Sequence, residues 1–273
     1  MDRSLKIGVV GLGLIGGSIF KALCALRCDI SAVSKSVSTR RKAKAYSKNV
    51  SKSLKKLKDC DIIFVCTPMN KTIDILNQLD KMVSKSTVVV DVCSLKSFVC
   101  QRKYKYIFIP SHPMAGSEFD GFDYSFETLF QDAKWVLTPF KFTKRKAVKD
   151  VKDIIKALGA KPVVTKPEVH DEAVALISHM PMVVAQGLFK AAKGNRLALR
   201  LAASGFRDMT RLAMSNEEMA RDMVNLNSEN IQKALLQLYA AIGELLASKH
   251  YLSQISEIKK ERKTMYFKEK NNL

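Results

Sequence analysis

The stretch LKIGVVGLGLIGGS, residues 5–18, constrains the fold more than any other part of the chain. A short β-branched run ends in Gly11, Gly13 and Gly16, spaced G-x-G-x-x-G, and the apolar pattern LIGGSIFKALCAL then continues at helical period. A strand, a tight turn and a helix packed back on that strand satisfy all three features. In that setting Gly11 permits the turn, Gly13 lets a pyrophosphate reach the backbone, and Gly16 allows helix and strand to approach closely. Leu14 and Ile15 open the helix, whose N-terminal amides favour an anion.

Further buried-strand patterns fall at 28–33, 60–66, 86–92 and 106–110, with helical patterns between several of them. The alternation predicts a doubly wound, largely parallel sheet. Runs at 134–139 and 161–165, flanking a basic helical stretch at 144–158, are expected to continue that sheet. From Pro167 onward the pattern is helical throughout. The expected architecture is therefore α/β: an N-terminal doubly wound Rossmann domain, residues 1–165, and a C-terminal all-helical dimerisation domain, residues 166–273, with the site in the cleft between them.

Within the helical half, SNEE at 215–218 fits a capping box, with Ser215 as N-cap and Glu218 reaching back. Apolar residues at 219, 223, 226, 231, 235, 238, 242 and 245 then predict one long amphipathic helix. So long an apolar stripe calls for a partner, and a homodimer through the C-terminal helices is expected.

With 273 residues and 47% hydrophobic content the chain can bury a large core. The formal net charge is +20, and +16 of it lies in residues 1–165. Lys35 to Lys58 contains ten basic residues and no acidic one. No recognition motif or interleaved aromatics accompany them, so the charge suits a solvated helix face, a lysine-rich compositional habit or a site for an anion rather than nucleic acid. No run approaches the eighteen or so apolar residues that cross a bilayer, and no signal-peptide pattern precedes the first strand. A cytoplasmic protein with no membrane partner is expected. The six cysteines lack CxxC or zinc-type spacing, so they are expected to be reduced core thiols, Cys93 included, and no metal site is expected.

The end of the second strand indicates which nucleotide the glycine loop selects. An NAD site carries Asp or Glu there, whereas this chain reads AVSKSVSTRRKA, residues 32–43. Ser34, Lys35, Ser36, Thr39, Arg40 and Arg41 offer hydroxyls and cations suited to a 2′-phosphate, which predicts NADP as cofactor. Thr67 and Pro68 after the third strand, Ser94 and Lys96 after the fourth, and His112 after the fifth all belong at the carboxyl edge of the sheet. There His112 can meet both a nicotinamide and a substrate.

Seven segments carry a resemblance: GLGLIGGS (11–18), CTP (66–68), DVCSLK (91–96), HPMAGSE (112–118), LFQDAKWVLTP (129–139), HDEAVALISHMP (170–181) and SGFRDMTRLA (204–213). In this order the chain resembles the prephenate and arogenate dehydrogenases of tyrosine biosynthesis. The resemblance implies hydride transfer to a nicotinamide nucleotide with loss of carbon dioxide. It also implies that His112 is the catalytic histidine at the substrate's ring hydroxyl, with Ser94 on the same oxygen. Arg211 resembles the arginine that binds a substrate carboxylate, with Arg207 supporting, and Glu118 resembles an acidic residue that organises the pocket. His179 and His170 match histidines of the second domain; His170 can equally be a helix-interface residue.

One departure bears on the substrate. Many prephenate-using members read SHLPH where this chain reads SHMPM, with Met182 in place of the second histidine. Together with the cofactor loop, this resembles the NADP-linked arogenate branch, while the methionine can equally be core packing. The alternatives are a β-hydroxyacid dehydrogenase or imine reductase-like NADP oxidoreductase, which would use a lysine from a second-domain helix, and a non-enzymatic NADP sensor. A sensor would not need Ser94, His112 and Arg211 together.

Overall fold

The computed structural model describes residues 4–117 and 119–267. β1 (Lys6–Val10) enters α1 (Leu14–Ala25) through the glycine turn, followed by β2 (Asp29–Val33), α2 (Val37–Ala43) and the short β3 (Val50–Ser51). β4 (Ile62–Val65), α3 (Met69–Asp80), β5 (Val88–Asp91) and β6 (Ile107–Ile109) complete a six-stranded sheet. Its order is β3-β2-β1-β4-β5-β6, and every pairing is parallel. Strand order reverses between β1 and β4, the switch point at which such sheets bind ligands.

Period-two alternation gives the sheet two buried faces. Ile7, Val9, Phe64, Val88 and Val90 pack with Phe20, Trp135 and Ile154. Val10, Ile63, Val65 and Val89 face the other way, onto Leu76 of α3 and onto Val174, Met182 and Met223 from the helical half. The same apolar alternation that builds the sheet thus docks the C-terminal helices against it. Met182 is part of this second core.

The runs at 134–139 and 161–165 do not continue the main sheet. β7 (Ser111–Pro113), β8 (Lys134–Leu137) and, after α4 (Arg145–Ala157), β9 (Lys161–Val164) form a separate three-stranded sheet. β7 is antiparallel to β8, and β8 is parallel to β9. Pro110 has no N–H to extend the ladder, and Ser111 is drawn onto the end of β5. Its N–H donates to Asp91 Oδ1 at 3.0 Å and its hydroxyl to the Asp91 carbonyl at 2.6 Å. That turn carries the next residue, His112, across the carboxyl edge.

The helical half begins with α5 (Pro167–Val174), a π-helical turn at Ala175–His179 and α6 (Met180–Ala192). By length and composition alone this continuous stretch could cross a membrane. It also carries the buried polar groups of His170, Asp171 and His179, which a lipid-facing helix could not satisfy. α7 (Arg196–Leu201), α8 (Ser204–Thr210), a 3₁₀ turn (Arg211–Met214), α9 (Glu217–Leu226), α10 (Ser228–Ala247) and α11 (Tyr251–Phe267) follow.

Two expectations for this half are corrected. Asn216, not Ser215, caps α9: its Oδ1 accepts from Met219 N, while Ser215 Oγ donates back to the Leu212 carbonyl. Glu218 instead accepts from Asn70 Nδ2 on α3. The expected single long helix is also two helices, broken at Asn227 (φ −128°, ψ 23°). The break is stabilised by side-chain hydrogen bonds of Asn227, which a hydrophobic period does not register.

Candidate active site

The glycine turn is held between the ends of β2 and β4: Gly11 N donates to the Val33 carbonyl at 2.8 Å and Cys66 N to the Val10 carbonyl at 2.7 Å. Gly11 has φ +86°, and a Cβ there would lie 2.5 Å from the Cys66 carbonyl oxygen. At Gly16 a Cβ would lie 1.9 Å from the Gly11 carbonyl oxygen. Both positions therefore demand glycine for packing. Gly13 differs, since a Cβ there would meet nothing within 4 Å. Its bareness leaves space above the first turn of α1, which has no side-chain cap and no acidic residue. These amides suit a pyrophosphate, so Gly11, Gly13, Leu14, Ile15 and Gly16 fit a dinucleotide.

The adjoining loop after β2 is shaped by Arg40, whose Nη1 donates to the carbonyls of Ser34 (2.8 Å) and Lys35 (2.7 Å). Ser36 caps α2 by accepting from Thr39 N. Ser34 is buried, whereas Lys35 and Arg41 are exposed. Lys42 is paired with Asp123. Thr67 and Pro68 lead into α3, with Thr67 Oγ1 3.0 Å from Thr72 Oγ1. Ser94 Oγ donates to Met69 Sδ at 3.4 Å, on the same α3 terminus.

After β6, at the carboxyl edge of the sheet, the structure assembles a line of side chains. His112 Nδ1 lies 3.0 Å from His170 Nε2, and His170 Nδ1 lies 2.8 Å from Asp171 Oδ1. Asp171 also accepts from Lys96 N and Ser97 N, each at 2.8 Å, which ties α5 to the loop after β5. Burial raises the proton affinity of the Asp171 carboxylate, but the hydrogen bonds from His170, Ser97 and Lys96 outweigh it and hold its pKa below the usual value. Ionised Asp171 accepts a hydrogen bond from His170 Nδ1–H; in the neutral imidazole His170 Nε2 then presents a lone pair, and His112 Nδ1–H is the donor between the rings. The order of bonds thus fixes the tautomer of His112 and leaves its Nε2 as a proton acceptor.

Burial pushes the pKa of His112 well below its ordinary value, with His170, Lys96 and His179 adding to the effect. His179 is buried and lowered to about 4, burial outweighing the attraction of Asp171. Its Nδ1 lies 3.1 Å from Asn227 Nδ2, and its Nε2 has no hydrogen-bond partner among the described residues. Lys96 is fully buried, ion-paired with Asp91 and donating to the Ser111 carbonyl. It braces the turn that delivers His112 rather than meeting a ligand. Burial pushes the Cys93 thiol up to about 12, so it stays protonated as core filler near Thr72.

Residues 25–164 match the family model described as prephenate dehydrogenase, nucleotide-binding domain, and residues 166–259 match prephenate dehydrogenase, dimerization domain. The chain belongs to the prephenate dehydrogenase family. It is 32% identical over 238 residues to a prephenate dehydrogenase of Bacillus subtilis, covering 82% of this chain and 64% of that relative. The chain thus spans just under two thirds of that relative's length. The crystal structure of Synechocystis arogenate dehydrogenase is 31% identical, with a TM-score of 0.80 and coverage of 98% of this chain and 100% of that one. That of prephenate dehydrogenase from Aquifex aeolicus with hydroxyphenyl propionate and NAD+ is 26% identical, with a TM-score of 0.84 and coverage of 96% and 98%. Membership in this family disfavours the β-hydroxyacid dehydrogenase and sensor readings.

For a member of this family, the sequence-derived site residues are unevenly assembled. His112, half-buried, lies in one region with the buried His170 and His179. Arg207 and Arg211 lie exposed on α8 and the 3₁₀ turn, Arg207 paired with Asp208. Among the described residues no hydrogen bond or ion pair joins either arginine to the histidines. Glu118 lies outside the described residues. Three site residues carry roles that the sequence reading did not assign: Asp171 as terminus of the histidine line, Asn227 beside His179, and Lys96 as a brace. Asp171 follows His170 directly in HDEAV, a pairing that could have suggested an oriented histidine. Asn227 gave no signal, because it interrupts an otherwise unbroken helical pattern.

Proposed function

We propose that the chain oxidatively decarboxylates arogenate, prephenate or both, transferring hydride to NADP. The observation that carries this reading is the line His112–His170–Asp171 at the carboxyl edge of the sheet whose β1–α1 turn carries the glycines. When bound, the nicotinamide nucleotide supplies the hydride acceptor for ring carbon 4. His112 Nε2 takes the proton of the hydroxyl on that carbon. The positive charge that develops on His112 is stabilised through His170 by the Asp171 carboxylate. As carbon 4 becomes a carbonyl, the bond from the para carbon to its carboxylate breaks. Carbon dioxide leaves, the ring becomes aromatic, and His112 returns its proton to the phenolate.

In this reading Ser94 holds the same oxygen, and Arg211 binds a substrate carboxylate through its planar fork, with Arg207 and Glu118 supporting. Ser34, Lys35, Ser36 and Arg40 form the loop that selects the 2′-phosphate, Arg40 by shaping it through the Ser34 and Lys35 carbonyls. We divide the chain near residue 165 and place the homodimer interface on the C-terminal helices, consistent with the dimerization-domain match. The site of action is the cytoplasm.

The test is an assay of purified enzyme with prephenate and arogenate, each with NADP and NAD, following reduced nicotinamide. Turnover with a higher kcat/KM for NADP, and for arogenate over prephenate, is expected. Absence of turnover in all four arms sinks the reaction. Equal or better efficiency with NAD overturns the cofactor choice, and a strong prephenate preference reverses the substrate choice.

A further inference from the structure

Asn227 sits in the break between α9 and α10, buried, with its amide fully committed. Its Oδ1 accepts from Asn230 Nδ2 at 2.9 Å. Its Nδ2 lies 2.9 Å from the Asp171 backbone carbonyl and 3.1 Å from His179 Nδ1. A carbonyl oxygen can only accept, so the amide nitrogen must face Asp171, and reversing the amide would set two acceptors against each other there. The second hydrogen of that nitrogen then points to His179 Nδ1, which must present a lone pair. A neutral imidazole with a lone pair on Nδ1 carries its hydrogen on Nε2.

Nε2 of His179 is buried and has no hydrogen-bond partner among the described residues. Buried N–H groups are almost always satisfied, and an exception calls for a partner such as a water, an ion or a ligand atom that completes it. The π-helical turn Ala175–His179 sets the ring in this place, a feature that recurs at functional sites. Hydrogen bonds run from His112 through His170 and Asp171 to Asn227 and on to His179, so the two rings border one region. Its own pKa of about 4 keeps it neutral at neutral pH.

We propose that Asn227 is a positioning residue that locks His179 in its Nε2–H tautomer, so that His179 meets the substrate as a neutral hydrogen-bond donor to a carboxylate or carbonyl oxygen. This rests on the reading of the region as the substrate site. It narrows that reading: His179 contacts an oxygen of the substrate, never an ammonium group, and does not act as a base.

The tautomer is measured on full-length enzyme with 15N-labelled histidine, by long-range proton–nitrogen correlation at pH 7.5. His179 should show an unprotonated Nδ1 and a protonated Nε2, whose proton moves downfield on saturation with 4-hydroxyphenylpropionate. Asn227→Asp replaces the donor by an acceptor, so the proton should move to Nδ1 or both nitrogens become protonated. The substrate KM should rise about tenfold or more, on the scale of outer-shell partners, while kcat stays within about threefold, as for a lost binding contact. A wild-type proton on Nδ1, an Nε2 proton indifferent to the ligand, or an unchanged KM in a folded Asn227→Asp enzyme with the shifted tautomer overturns the proposal. The wild-type spectra decide even where the variant fails to fold. Lack of turnover with the expected spectra would sink the reaction assignment and leave the tautomer lock standing; turnover with the wrong tautomer would sink the lock alone.

Discussion

At the scale of single residues, the chemistry turns on which nitrogen of each histidine holds a proton. Asp171 sets the direction of the line, and His112 Nε2 is the acceptor at its far end. His112→Asn should lower kcat by roughly a hundredfold or more, the scale of a lost general base, with little change in cofactor KM. Near-normal kcat would remove His112 from the mechanism. The buried imidazoles also make stability depend on pH. His179 has a folded pKa of about 4, below the ordinary histidine value it regains on unfolding. Its contribution is complete above about pH 6.5 and is lost as pH falls towards 4, because the unfolded chain takes up a proton that the folded one refuses. The loss is roughly 3 kcal/mol, and the depressed His112 acts in the same direction. Urea midpoints at pH 7.5 and 4.5 should therefore differ markedly, and His179→Gln should shrink the difference. Equal midpoints in the wild type would count against buried neutral histidines.

At the scale of elements, the glycine turn separates packing from ligand binding. Gly16 abuts the Gly11 carbonyl, whereas Gly13 faces open space with φ −84°. Gly16→Ala should destabilise the protein by about 3 kcal/mol, the upper range of overpacking, and lower its melting temperature without ligand. Gly13→Ala should fold like the wild type and lose affinity for the dinucleotide, read as a raised KM for NADP. Similar melting temperatures for the two variants would contradict this division. The helix break at Asn227 is a second such element. A continuous helix would bury the same apolar face, but it would withdraw the amide that bridges Asp171 and His179.

At the scale of the whole molecule, α10 exposes Leu236, Tyr239 and Leu246 at helical spacing, at 70%, 78% and 80% of their accessible surface. Side chains this apolar and this exposed along one helix face suit burial against a second copy. Light scattering should give about twice the 30.5 kDa chain mass, and Leu236→Glu with Tyr239→Lys should give a monomer with the N-terminal sheet intact by circular dichroism. A monomeric wild type would remove the homodimer. The net charge of +20 should also draw anionic substrates, an attraction that salt screens.

Much of this molecule was legible in order along the chain. The glycine spacing implied strand, turn and helix, alternating strands implied a doubly wound sheet, and His112 fell at its carboxyl edge because strand ends are local features of sequence. The second sheet was not legible, since Pro110 and the bonds from Ser111 to Asp91 redirect the chain through partners 20 residues apart. The pairing of His170 with His112, across 58 residues, and of Asn227 with His179, across 48, also required the folded chain. Hydrophobic period and turn chemistry are local and can be read from neighbours in sequence. Tautomers, burial and the direction of a proton are set by whatever the fold brings within 3 Å or so, and only the tertiary structure decides that.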